Sequence, residues 1–297
     1  MTSKKLAVLI LIMLLLPFGL TLLEGRRFPE SIGLVYQPRL GTSTAYKMEV
    51  KASSKLFGMD KETYPGIPQE SKTLGKFVFT DKILDVTPEG KIKEEMTYID
   101  VKLEMEVEGS RQNLPFADKL KGKSILMEMD KDGRVVSTKG LDEFSEELKD
   151  LELQNMYIQL RPIFPDGKVK IGDSWDNQIE SVIPIGGMVN RTKVEEKYTL
   201  SGFKEKENNL CAVIRVNLVI YTVGRTVKKE GGVDIDIDME GEGEGEIIYA
   251  LEDSRLLSSH IELNLKSRIR SSAYREVREI EMKHKVEMVL EEEAKAE

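Results

Sequence analysis

The stretch Phe164–Trp175, FPDGKVKIGDSW, is where the chain changes its grammar. Before it, apolar residues recur at helical spacing; after it, they alternate at strand spacing, and the stretch holds the only tryptophan. Asp166-Gly167 and Gly172-Asp173 supply turn chemistry on either side of Val169-Lys170-Ile171. As a hinge it divides the chain into two β-rich halves of shared architecture, residues 31–140 and 162–290.

Upstream of the hinge, Leu141, Phe144, Leu148, Leu151, Met156 and Leu160 recur at three- to five-residue spacing, behind an acidic start at Asp142, Glu143, Glu146 and Glu147. The spacing predicts one amphipathic helix over 141–161, whose acids suit the positive end of the helix dipole. Pro162 and Pro165 stop it. Its apolar stripe needs a surface to cover, and the expected surface is the concave side of a curved sheet. The expected fold class is therefore mainly β (α+β): two similar antiparallel β units forming a curved sheet or half-barrel, with one amphipathic helix packed on the concave face.

In the first half, Tyr46, Met48 and Val50 alternate with Lys47, Glu49 and Lys51, the period of a strand with one buried face. Further on, Ile99, Val101, Leu103, Met105 and Val107 share one face, whereas Ile92, Met96 and Tyr98 have the opposite parity, which predicts a bulge near Tyr98. Ile125, Met127 and Met129 alternate up to Asp130-Lys131-Asp132-Gly133, a hairpin signal. Between Leu56 and Gly75 the pattern dissolves into breakers that still carry Phe57, Met59, Tyr64 and Ile67, a loop that either folds back on the sheet edge or grips a ligand.

In the second half a long strand from Ala212 runs to Gly231-Gly232, a pair suited to a two-residue turn that sets Arg225 opposite Asp238 and Tyr221 opposite Glu242. The returning strand carries seven carboxylates, Asp234 to Glu246, on one face. Same-face neighbours stand nearly 7 Å apart along a strand, so the expectation is a solvated face rather than a calcium cage. Gly241, Gly243 and Gly245 fall on the other face and predict strong curvature or close approach by a helix or ligand. Glu252-Asp253-Ser254-Arg255 echoes Lys131-Asp132-Gly133-Arg134, and Gly243 echoes Gly122 at the same offset, as expected of a duplicated unit.

Pro165, Val169 and Gly172-Asp173-Ser174-Trp175 make a pattern of proline, short spacer and Val-x-x-Gly-Asp-Ser-Trp between the two halves. In this the chain resembles a family of exported bacterial domains of unknown function, over roughly Ser31 to Glu291 by arrangement. The resemblance implies export and transfers no catalytic residues. The expected shape is more distantly similar to lipoprotein-carrier half-barrels, which implies a trough able to hold acyl chains.

The formal charge of -8, with bases interleaved among acids, argues against nucleic acid as a partner. Cys211 is the only cysteine, which excludes an intrachain disulfide and a cysteine metal cluster. His260 and His284 are the only histidines, and there is no serine elbow, phosphate loop or H-E-x-x-H motif. The expectation is a non-enzyme with no cofactor and no metal site. Lys4 and Lys5 precede an uncharged run, Leu6 to Leu23, roughly 27 Å as a helix against a hydrocarbon core of about 30 Å. Residues 1–27 read as an export signal or membrane anchor: no good cleavage site ends the run, while Pro17 and Gly19 weaken a spanning helix. The expected location is the cell envelope, anchored in the cytoplasmic membrane through residues 6–23 or released to the periplasm, with 291–297 a polar tail. The functional expectation is a protein that holds an apolar or lipidic ligand between helix and sheet. Its lining would be Met105, Met127, Met129, Phe144, Leu148, Met156, Trp175, Met239, Gly241 and Gly243, with methionine supplying an adaptable wall. The alternative is a structural or interaction domain with a filled cavity and no ligand.

Overall fold

The computed structural model describes residues 28–57, 69–140, 160–185, 188–226, 235–271 and 278–292. Period-two alternation produces fourteen strands: β1 (Ile32–Gly33), β2 (Ser43–Phe57), β3 (Glu70–Val86), β4 (Ile92–Val107), β5 (Ser110–Asn113), β6 (Ser124–Met129), β7 (Val135–Lys139), β8 (Lys168–Val169), β9 (Ser174–Ile185), β10 (Met188–Lys206), β11 (Asn209–Thr226), β12 (Ile235–Ala250), β13 (Arg255–Ser271) and β14 (Arg278–Glu292). β1 pairs with β8. The other twelve form one sheet in the order β7-β6-β4-β3-β2-β14-β13-β12-β11-β10-β9, with β5 hung on β4.

Each half is an antiparallel meander, and the halves fuse where β14 pairs with β2, from Tyr46 opposite Glu292 to Phe57 opposite Glu281. The edges of the sheet are therefore β7 and β9, the two strands that flank the linker. Linker contacts show how far the sheet curls. Arg161 bonds Asp81 on β3, and the Ile163 carbonyl accepts from Trp175 Nε1 on β9 at 2.6 Å. Seven strand intervals separate β3 from β9, roughly 34 Å in a flat sheet, whereas two residues of chain span at most about 7 Å. Two side chains cannot bridge the difference, so the sheet must curl into a trough.

The filling of that trough corrects the expected fold class. Residues 141–159 lie outside the described residues, and among the described ones there is no α-helix. The described chain is all-β, and the concave face is packed by two irregular segments, Leu34–Tyr36 and Leu160–Phe164, instead of a helix. Pro162 and Pro165 keep the second of these segments from continuing as a helix.

The bulge near Tyr98 is present: Phe79 faces Tyr98 and Val78 faces Asp100, leaving Ile99 as the extra, exposed residue. The β11–β12 register is offset by two from the expectation, with Arg225 opposite Asp236 and Tyr221 opposite Glu240, so face is preserved and partner is not. The turn echo is structural as well: Gly133 (φ 90) and Ser254 (φ 50) take the same left-handed position in corresponding hairpins. Gly122 and Gly243 are not equivalent, the first lying in a turn at φ 76 and the second within β12.

Candidate functional site

At one end of the trough the inner face is closed by the chain's own plug. Tyr36 stacks on Phe164 at 4.7 Å, and Tyr249 of β12 meets both rings edge-on at 5.4 and 4.7 Å. Tyr36 donates to the Pro162 carbonyl and Tyr249 to the Val35 carbonyl. The Phe164 amide donates to the Asp132 carbonyl at 2.8 Å. Gly133 is required here: a Cβ would come within 2.2 Å of the Tyr36 ring.

Beneath the plug lies a buried ionic cluster. Arg161 bonds Asp81 through Nη2 and grips both oxygens of Glu94, Nη1 at 3.0 Å and Nη2 at 2.7 Å, with Met129 Sδ 3.2 Å from Nη1. All three charged residues are buried. Burial pushes the Glu94 carboxyl well above the usual range against the pull of Arg161, and Asp81 beside it pushes the same way. One guanidinium thus faces two buried carboxyl groups, and breaking such a buried cluster by removing its cation is strongly destabilising. A second buried acid, Glu196 on β10, accepts from Asn177 Nδ2 and Tyr198 Oη, both at 2.8 Å. Burial raises its carboxyl too, with these two donors working against the rise. Neither cluster was anticipated, though a signal exists: Asp81 between Phe79 and Ile83, Glu94 between Ile92 and Met96, and Glu196 between Val194 and Tyr198 all sit at core-facing parity.

The residues expected to line a cavity separate into groups. Met127 and Met129 are buried in the main core, and Met129 touches Arg161, so both are packing residues at the plug end. Trp175 stacks on Tyr198 at 5.7 Å and ties down the linker through the Ile163 carbonyl. Gly241 and Gly243 are covered by the neighbouring strand, since added Cβ atoms would fall 2.5 Å from the Asn264 carbonyl oxygen and 2.3 Å from Leu263 Cδ2. The close approach expected of a helix or ligand is made by β13. Met105 and Met239 are half-buried on the inner face towards the opposite end of the trough. Phe144, Leu148 and Met156 lie outside the described residues.

Among the described residues, no three His, Cys, Asp or Glu side chains converge to hold a metal ion. Two acids on that face of β12 pair with bases, Asp238 with Arg270 at 3.2 Å and Glu246 with Lys204 at 3.7 Å. Among the same residues no helix is long and apolar enough to cross a membrane; residues 1–27, with the expected anchor, lie outside them.

This geometry can be set beside known proteins. Residues 142–253 match the model of a family of unknown function (DUF6263). The match covers the linker, the Pro165–Trp175 segment and all of β9–β12. Among curated proteins none matches. Of solved structures, lipovitellin in a study of its lipid–protein interactions aligns over 87% of this chain at 11% identity and a TM-score of 0.43. The chain spans 25% of that protein's length. A loop-deleted OmpT outer membrane protein of Vibrio cholerae aligns over 85% of this chain and 100% of its own, at 8% identity and a TM-score of 0.23. A BenF-like porin from Pseudomonas fluorescens does so over 86% and 100%, at 7% and 0.21. Overlaps at this level carry no argument about function.

Proposed function

We propose that the chain is a non-enzymatic binding protein of the cell envelope that holds an apolar or lipidic ligand along the inner face of its curled sheet, beyond the plug. The observation that carries this reading is the change in burial along the strands. On β2, Tyr46 and Met48 are 2% and 1% exposed, while Val50, Ala52 and Leu56 on the same face are half-buried. β4 repeats the change from Val101 and Leu103 to Met105 and Val107, and β14 from Met288 and Leu290 to Val286. An apolar face left partly wet is one that a greasy molecule completes. The envelope location is supported by the uncharged run Leu6–Leu23.

Organic extraction and mass spectrometry of the purified protein should find a co-purifying lipid. The native protein should also bind an apolar fluorophore that Met105→Glu or Ala52→Glu excludes. No lipid and no fluorophore binding by the natively folded chain would sink the proposal. That outcome would favour a structural or interaction domain, a reading supported by the complete packing of Leu160, Phe164 and Tyr249 at the plug end.

A further inference from the structure

A dish of about 860 Å3 lies on the outer face of the sheet, across β3, β2, β14, β13, β12 and β11 and spanning the seam between the two halves. Its floor has an unusual row. Reading across the register, Glu240 faces Lys266, Lys266 faces Lys283, Lys283 faces Lys55, and Lys55 faces Glu70. Three lysines stand directly opposite one another on consecutive strands. Like charges in that relation destabilise strand pairing, so sheet stability alone does not account for the row.

Lys285 and Lys72 stand one row further along. The dish is thus lined by five lysines and three glutamates, Glu70, Glu240 and Glu242, with Glu106 and Glu262 reaching Lys72 and Lys285 from beside it, so what sets the site apart is the unbroken row of three lysines. Neighbours position several of these ammonium groups. Lys55 pairs with Glu70 at 2.7 Å, Lys72 with Glu106 at 2.9 Å and Lys285 with Glu262 at 3.5 Å, while Lys283 lies 5.0 Å from the centre of the Phe57 ring.

We propose that this dish binds a discrete, multiply charged anion of the phosphate or carboxylate class, lying along Lys266, Lys283 and Lys55. Two strand intervals make the row about 10 Å long, the scale of a short polyanion. The three lysines line a shallow recess in the outer face, which suits a small discrete molecule. This site lies on the opposite face from the apolar trough and does not depend on it.

The test uses the full chain with sodium tripolyphosphate as the probe, by calorimetry at low ionic strength. The expected result is one site per chain, weakened by salt and weakened about tenfold or more in Lys55→Gln/Lys266→Gln/Lys283→Gln. The single variant Lys283→Gln keeps the test decisive if the triple variant folds poorly. It should raise the melting temperature of the free protein by relieving the row, and reduce the rise that tripolyphosphate produces. Absence of binding, unchanged binding in these variants, or an equal loss in the distant control Lys93→Gln/Lys131→Gln would overturn the proposal. So would sedimentation with phosphatidylglycerol vesicles that depends on the three lysines while tripolyphosphate fails to bind, which would make the partner a membrane surface.

Discussion

The two ends of the trough are built from the same strands and the same kinds of side chain, yet they differ in what covers them. At the plug end Met129 touches Arg161, and both Met127 and Met129 are buried in the core that Tyr36, Phe164 and Tyr249 complete. At the other end Met105 occupies the same inward stripe and remains half-buried. Residue type did not make one methionine core and another a candidate wall; the path of the linker did. The comparison also locates the buried ion pair, which lies where the plug brings Arg161 to Asp81 and Glu94.

The largest effect should come from removing the tie between plug and sheet. Arg161→Ala leaves Asp81 and Glu94 buried without their cation and should lose about 3–5 kcal/mol in urea unfolding. Glu94→Gln, which mimics the protonated acid, should lose far less; equal losses would mean that Glu94 is not held protonated. The methionines sharpen the contrast directly. Met127→Ala should lose about 2–5 kcal/mol, and Met105→Ala less than about 1 kcal/mol, so similar values would abolish the distinction between the two ends. Gly243→Val drives a side chain into Leu263 and the Glu262 carbonyl. It should lose about 1–3 kcal/mol, an outcome that a ligand filling the space above Gly243 would not produce.

The smallest effect concerns pH. Burial raises the Glu196 carboxyl in the folded state. Between its unfolded pKa, about 4.3, and its raised folded value, the folded chain holds more proton than the unfolded one, so this group makes stability fall as pH rises through that window. Glu196→Gln keeps a carbonyl oxygen for Asn177 and Tyr198 and should flatten that fall, matching the wild type below the window and exceeding it above. Unfolding curves from about pH 4 to 8 test this, and an unchanged slope would show that Glu196 ionises normally.

Much of the local structure was legible. The parity flip at Tyr98 is a bulge because a strand with one buried face cannot change sides without an extra residue. Asp130–Gly133 turns because Gly133 alone accepts φ 90 against the Tyr36 ring. The β11–β12 partners were misplaced by two residues because a run of turn-formers, Lys229 to Val233, allows more than one turn centre with the same faces. The site was less legible. Trp175 reads as an apolar anchor, yet its indole N–H engages Ile163 across the linker. The glycines of β12 signal a close approach without saying that β13 makes it.

Sequence alone determined which residues alternate, where the chain turns and which acids fall at inward positions, since all of these depend on neighbours a few residues away. Only the tertiary structure decided that β14 closes on β2, that Arg161 meets Asp81 80 residues before it, and that three lysines from three strands share one row. The physical reason is that strand pairing and sheet curl bring together residues remote in the chain. Hydrophobic period records which face a side chain takes, and nothing about which edge it will find.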